Sequence, residues 1–148
     1  MHTEHLQNVR VVRVLAGWLV GIAVTSLAVL AAIGIPMLSD GTGQLDTVSS
    51  ILAVAAGFWA GGFFAGFRAM EAPILHGVGM GLMSLVAWAG LNAVASLLFP
   101  GVVWEALTPG LAVALLLIQI VAAVLGALMG YNVSTRGKPG LSEHEPIE

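Results

Sequence analysis

Four long apolar stretches, separated by short polar segments, dominate the pattern of this chain. Asp, Glu, Lys and Arg are absent from residues 14–39, 47–67, 72–104 and 106–135. About 20 helical residues cross the hydrocarbon core of a bilayer, so each stretch is long enough for one crossing and too short for two crossings with a turn. The pattern therefore predicts an all-α integral membrane protein with four transmembrane helices.

Proline and capping residues predict where these helices begin and end. Pro36 should end the first helix, because proline has no N–H and its ring crowds the preceding turn. Asp46 or Thr47 can cap the second helix with a side-chain oxygen, Pro73 suits the first turn of the third, and Pro109 suits that of the fourth. These signals place the helices at about residues 11–36, 48–67, 73–98 and 109–133.

The composition agrees with lipid as the main solvent. Hydrophobic residues make up 58% of the 148 residues and charged residues 9%, whereas a typical soluble domain has about 25% charged residues. The first apolar stretch also exceeds the roughly 7–15 residues of a signal-peptide core, so we interpret it as an uncleaved helix. Residues 1–133 are thus expected to form one transmembrane domain, followed by a polar, disordered tail at 134–148.

The basic residues predict the orientation of the helices. All five fall on one side of a four-helix topology: Arg10, Arg13, Arg68, Arg136 and Lys138. The positive-inside rule places this side in the cytoplasm, which predicts two antiparallel hairpins in the plasma membrane with both termini cytoplasmic. The turn around Arg68 is short, and this favours helices 2 and 3 as antiparallel neighbours.

Several classes of function find no support in the sequence. There is no cysteine, which excludes disulfides and thiolate chemistry, and the net charge of -3 comes without a basic stripe for nucleic acid. No pair of acids lies in an apolar stretch, and no glycine-rich phosphate loop is present. We expect no enzymatic activity, no metal and no cofactor, with the lipid bilayer as the principal partner.

Glycines at four-residue spacing are the densest motif. Such spacing lets helix backbones approach closely in lipid, where no hydrophobic force drives helices together. Either these glycines pack the bundle internally, or they form a dimer face or a docking groove for a partner. The same glycine spacing occurs near the starts of helices 1 and 3 and near the ends of helices 2 and 4. This suggests that the second pair of helices is a duplicate of the first in the same orientation. The candidate packing residues are Gly57, Gly61, Gly62, Gly66, Gly77, Gly81, Gly126 and Gly130.

Few polar side chains lie inside the apolar stretches, and they are the candidates for specific chemistry. His76 either anchors helix 3 through hydrogen bonds or handles protons or a ligand, since histidine can change charge near physiological pH. The amides of Asn92 and Gln119 are expected to form interhelical hydrogen bonds. Thr25 and Ser26 are expected to bond their own backbone carbonyls, which would leave them without a further role.

The segment Gly61-Gly62-Phe63-Phe64-Ala65-Gly66-Phe67-Arg68-Ala69, followed by Leu75-His76-Gly77-Val78-Gly79-Met80-Gly81, resembles a group of small four-helix bacterial membrane proteins of unknown function. In that group the pattern is GG-x-x-AG-R-x-A, a short turn, and an aromatic residue before x-HG. Here the arginine is displaced by one position, and Ile74-Leu75 stands where an aromatic is expected. The resemblance covers about a fifth of the chain and implies the four-helix topology without an activity.

Together these features favour a non-catalytic membrane protein that acts through helix packing, either with itself or with a membrane partner. The alternative is a subunit of a small oligomeric transporter or channel. That alternative depends on His76, Asn92 and Gln119, because four helices this apolar would need at least a dimer to enclose a water-filled path. A polar cavity running from His76 toward Asn92 would favour transport, whereas a glycine groove facing lipid would favour a partner.

Overall fold

Four long helices make up the computed structural model, which describes residues 10–38, 46–69, 72–98 and 109–136. The helices are α1 (Val11–Leu38), α2 (Thr47–Arg68), α3 (Pro73–Leu98) and α4 (Pro109–Arg136). All four are long and apolar enough to cross a membrane. The prediction of an all-helical protein with four helices of membrane-spanning length is therefore confirmed, and these helices indicate a multi-pass membrane protein.

The observed helix ends differ from the expected ones where local hydrogen bonding outweighs the sequence signal. Helix α1 continues through Pro36 to Leu38, since a proline this close to the end disrupts only the final turn. Helix α4 extends to Arg136, and within this added turn the hydroxyls of Ser134 and Thr135 donate to the carbonyl of Tyr131 at 3.0 and 3.1 Å. These residues were expected to belong to the tail, whose remainder lies outside the described residues.

The start of α2 has the capping structure that the sequence predicts. The Asp46 carboxylate accepts a hydrogen bond from the backbone N–H of Ser49 at 2.6 Å, and the Asp46 carbonyl accepts one from the Ser50 hydroxyl at 2.9 Å. Hydrogen bonding by Ser49 lowers the pKa of the exposed Asp46 carboxyl below its ordinary value. Thr108, which precedes Pro109 and could cap α4 in the same way, lies outside the described residues.

Helix α2 forms the centre of the bundle. It packs most extensively against α4 and next against α1, while α3 packs mainly against α4 and touches α1 and α2 much less. Helices α2 and α3, which the short turn predicts to be antiparallel neighbours, are in contact, but their interface is small. The reason is that α1 and α4 already occupy the two glycine-containing faces of α2.

The order of contacts along the helices shows their relative directions. Gly17 lies against Gly61 and Gly21 against Gly57, so α1 and α2 run in opposite directions. Gly77 lies against Val124 and Gly81 against Ile120, so α3 and α4 also run in opposite directions. By the same criterion α2 and α4 are parallel, with Gly62 on Ala123 and Gly66 on Ala127.

This arrangement gathers basic residues at one end of the bundle, which we call the basic end. Arg10 approaches the start of α3 there, and Arg68 ends α2. Arg136 ends α4, which runs parallel to α2. The guanidinium of Arg68 also lies 4.5 Å above the ring of Phe64, a cation–π contact.

The packed core belongs to the part of the bundle nearer the basic end. It consists of Val14, Phe58, Ala65, Met80, Ala122 and Ala123. Toward the opposite end, α1 buries no residue after Gly21, and α3 buries only Ala95 after Gly81. The bundle is thus tightly packed near the basic end and open at the other.

Candidate functional site

The glycines of α2 form two separate contact faces. Gly57 and Gly61 face α1, where a Cβ at Gly61 would overlap the backbone of Gly17 and Gly21. Gly62 and Gly66 face α4, where a Cβ would overlap the backbone of Ala123 or Ala127. No side chain larger than hydrogen fits at these positions without separating the helices.

The other predicted packing glycines also lie against neighbouring helices of the same chain. A Cβ at Gly126 would overlap the backbone at Trp59, and one at Gly130 would overlap the backbone at Phe63. Gly77 and Gly81 of α3 face α4. All eight candidate glycines are buried, which favours packing inside the bundle over a free docking groove.

The contacts between α2 and α4 are reciprocal. Glycines of α2 lie on the backbone of α4 at Ala123 and Ala127, and glycines of α4 lie on the backbone of α2 at Trp59 and Phe63. Because these helices are parallel, an approximate two-fold axis along the bundle relates the contacts made by α2 to those made by α4. This arrangement is the one a parallel duplication of two helix pairs would produce.

His76 lies at the basic end and is fully buried. Its Nδ1 lies 2.8 Å from the Ala72 carbonyl, which also accepts the His76 backbone N–H at 3.2 Å. The backbone N–H of Arg10 points to Nε2 at 3.5 Å. Through these two contacts the side chain joins the start of α3 to the start of α1.

A second polar contact joins the same two helices further along. The indole N–H of Trp18 donates to Ser84 Oγ at 3.0 Å, and the Ser84 hydroxyl donates to the Met80 carbonyl at 3.3 Å. Met80 lies between this contact and His76 and is fully buried. Met80 therefore separates His76 from the polar groups nearer the middle of the helices.

Asn92 does not form the interhelical hydrogen bond that we expected. Its Nδ2 donates to the carbonyl of Trp88, in the preceding turn of the same helix, at 2.8 Å. Most residues around Asn92 are exposed, which limits the contacts that this part of α3 makes with other helices. Asn92 is thus outside the polar group formed by Trp18 and Ser84.

Gln119 and Thr25 also differ from expectation. Gln119 Oε1 and Thr25 Oγ1 are both buried, and neither has a hydrogen-bond partner in the described part of the chain. The predicted interhelical bond from the Gln119 carbonyl oxygen and the predicted local bond of Thr25 are therefore absent. Water is scarce at membrane depth, so such oxygens are costly unless another molecule pairs with them.

These two residues line a cavity to which all four helices contribute. The cavity has a volume of about 260 Å³, and its polar lining comes from Trp18, Thr25, Ser26, Ser84 and Gln119. A second cavity of about 350 Å³ lies between α3 and α4, and it shares Ser84 and Gln119 with the first. Its other lining residues are apolar: Leu85, Trp88, Ala112, Val113, Leu115 and Leu116.

The sequence pattern had identified only part of this site. Gln119 was a candidate, whereas Thr25 was expected to bond only its own backbone and Trp18 was not given a role. A threonine or tryptophan in an apolar helix ordinarily satisfies itself or faces lipid, so no signal in one helix marks it. No group of three or more His, Cys, Asp or Glu that could hold a metal occurs among the described residues.

The helices and the site indicate the class of this protein: four apolar helices of membrane-spanning length, typical of a multi-pass membrane protein, form a glycine-packed bundle with a mostly apolar, open cavity. No family model, curated protein or solved structure significantly matches the chain.

Proposed function

We propose that this is a non-catalytic protein of the plasma membrane that acts by associating, inside the bilayer, with a second copy of itself or with another membrane protein. The main support is the open end of the bundle. A Cβ at Gly34 of α1 or Gly90 of α3 would meet no described atom within 4 Å, unlike one at any of the eight packed glycines.

The physics of helix packing in lipid explains why the uncovered glycines Gly34 and Gly90 matter. Close contact between helices depends on small residues, since lipid and leucine are equally apolar. The glycines near the basic end contact other helices of the chain, while a Cβ at Gly34 or Gly90, on two parallel helices, would meet no described atom. These positions are therefore where another helix can approach closely.

The side chains also support a non-catalytic role. Both ring nitrogens of His76 contact backbone groups, and the ring is fully buried. No acid or base lies among the described residues that line the cavity. General acid–base catalysis needs a titratable group that can reach a substrate, and neither place offers one.

For the orientation, we propose two antiparallel hairpins with both termini cytoplasmic. The proposal is supported by the position of Arg10, Arg13, Arg68 and Arg136 near one end of the bundle. Positive residues are retained on the cytoplasmic side of a membrane.

Cysteine cross-linking tests the association, because the native chain contains no cysteine and needs no prior substitution. Gly90→Cys and Gly34→Cys should form disulfide-linked dimers when membranes are oxidised, if the partner is a second copy. Leu117→Cys, on the exposed surface of α4, serves as the matched control and should stay uncross-linked.

A different partner would be detected by purification in a mild detergent, with mass analysis of everything that co-purifies. We then expect a second membrane protein in fixed stoichiometry. A single chain with neither a partner nor a cross-link at Gly34 or Gly90 would contradict the proposal.

The second candidate function is a subunit of a small transporter or channel, and the cavity formed by all four helices favours it. Uptake measurements on reconstituted vesicles distinguish a transporter from a protein that acts by association. A proton-coupled uptake that His76→Gln abolishes, while the fold is retained, would replace the leading proposal. The burial of His76 behind Met80 leads us to expect no such flux.

A further inference from the structure

Three arginines lie at the basic end of the bundle along the line where α1 meets α2, which we call the α1–α2 seam. Two of them are on α1. Arg10 and Arg13 precede Gly17 by seven and four residues, which places all three on one side of the helix. This side faces α2, because Gly17 lies against the backbone of Gly61.

The third arginine, Arg68, is on the matching side of α2. It follows Gly61 by seven residues, with Phe64 between them at helical spacing, so these three residues share the side that faces α1. The guanidinium of Arg68 lies 4.5 Å above the Phe64 ring. This cation–π contact keeps the charge of Arg68 on the seam.

The register of the two antiparallel helices brings the arginines to a common level. Gly17 lies against Gly61, Arg10 is seven residues before the first, and Arg68 is seven residues after the second. Equal displacements in opposite chain directions end at the same height, so Arg10 and Arg68 are level along the bundle axis. Arg13 lies less than one helical turn nearer the middle of the bundle.

These arginines have no negative partner in the part of the chain that the structure describes. The only carboxylate there belongs to Asp46, which caps the opposite end of α2. All three arginines are at least partly exposed. Positive charges gathered on one surface attract an anion, and guanidinium groups bind phosphate strongly through paired N–H donors.

The surroundings of the seam determine which anion is within reach. Helices α1 and α2 are both long enough to cross the hydrocarbon core, so their ends lie at the level of the lipid headgroups. Below the arginines the seam continues into the bilayer past the half-buried ring of Phe64. A molecule with a phosphate at one end and apolar chains at the other matches this sequence of surfaces.

We propose that the basic end of the α1–α2 seam binds the headgroup of an anionic phospholipid. The phosphate lies among Arg10, Arg13 and Arg68, and the acyl chains follow the seam past Phe64 toward the middle of the bilayer. This site is independent of the proposed association, because the uncovered glycines are at the opposite, open end of the bundle.

Native mass spectrometry of the full chain in detergent tests the proposal by counting retained lipids. The probes are phosphatidylglycerol, which is anionic, and phosphatidylcholine, which is zwitterionic, with identical acyl chains and at equal concentration. We expect one bound phosphatidylglycerol, retained at least fivefold more than phosphatidylcholine. Glycerol 3-phosphate, which has the phosphate without acyl chains, should not displace it at the same concentration.

Substitutions locate the bound lipid. Arg13→Gln and Arg68→Gln should each lower retention of phosphatidylglycerol at least fivefold. Arg136→Gln is the matched control, because it removes the same charge from the end of α4, which packs on the other face of α2. Glu71→Gln, which removes the acid nearest to Arg68 in the sequence, should leave retention unchanged or higher. Melting temperatures without added lipid show whether each variant folds.

Several results would overturn the proposal. Equal retention of the two lipids by the native protein would do so without any substitution. Unchanged retention in folded Arg13→Gln and Arg68→Gln would exclude the seam, and an equal loss in Arg136→Gln would assign binding to the overall charge of the basic end. Displacement by glycerol 3-phosphate would indicate a soluble phosphate instead. None of these results bears on the association proposal, which is tested by cross-linking at the open end.

Discussion

His76 shows how much one buried polar side chain contributes to the bundle. Its ring bonds the carbonyl of Ala72 and receives the N–H of Arg10, so it connects the starts of two helices. We expect His76→Leu to lower the free energy of unfolding by about 1–3 kcal/mol, because the buried Ala72 carbonyl then loses its side-chain partner. His76→Gln should cost less, since its amide can still donate to that carbonyl.

Thermal unfolding of both variants in one detergent measures this difference. Similar small effects of leucine and glutamine at position 76 would show that the ring is not an anchor.

Ala72 has a backbone conformation that could not be predicted from the sequence. Its φ of 53° lies in the left-handed region, which is disfavoured for residues with a Cβ and most of all for β-branched ones. Ala72→Gly should therefore be neutral or stabilising by up to about 1 kcal/mol, and Ala72→Val should be destabilising by more than about 1 kcal/mol. Unfolding of the two variants under identical conditions checks the ranking, and a valine variant as stable as the glycine variant would contradict it.

At the scale of an element, α2 depends on glycine on two faces at once. Gly62→Leu or Gly66→Leu should reduce the free energy of unfolding by roughly 1–3 kcal/mol, because each side chain would push α4 away from α2. Gly110→Leu is the control, since a Cβ there meets nothing within 4 Å. Equal and negligible effects at the three positions would mean that α2 does not contact α4 through these glycines.

The Asp46 cap of α2 should make the stability of the protein fall in acid. Hydrogen bonding by Ser49 lowers the pKa of Asp46 in the folded protein. The ionised carboxylate therefore stabilises the fold fully above the ordinary aspartate pKa, and this stabilisation is lost as the pH falls through the lowered pKa of the folded state. The melting temperature should thus be insensitive to this group at neutral pH and should fall in acid. Asp46→Asn can still cap the helix and should lose less stability between neutral and acidic pH than the native chain. An identical acid dependence in both proteins would assign the loss to other groups.

At the scale of the whole molecule, the topology is the principal prediction. Reporter domains fused after Arg68 and at Glu148 should lie in the cytoplasm, and one fused near Gly43 should lie outside. The physical reason is the retention of all five basic residues on one side. A cytoplasmic reporter near Gly43 would rule out four crossings in this orientation.

The sequence by itself determined the class of the molecule and its four helices. Long charge-free stretches must be helical in lipid, since only internal hydrogen bonding satisfies the backbone there. Pro73 and Asp46 placed the starts of α3 and α2 correctly because capping depends on a few neighbouring residues. The signal at Pro36 failed because a proline in a final turn does not remove the bonds before it.

Only the tertiary structure decided which helices are neighbours and which polar groups meet. Sequence spacing placed Gly57 and Gly62 on adjacent strips of α2, but it could not assign one strip to α1 and the other to α4. Nor could it bring Thr25 and Gln119 to one cavity, since they lie on different helices. Periodicity describes the faces of one helix, whereas contacts between helices depend on how the whole set packs, and lipid imposes no single pairing on apolar surfaces.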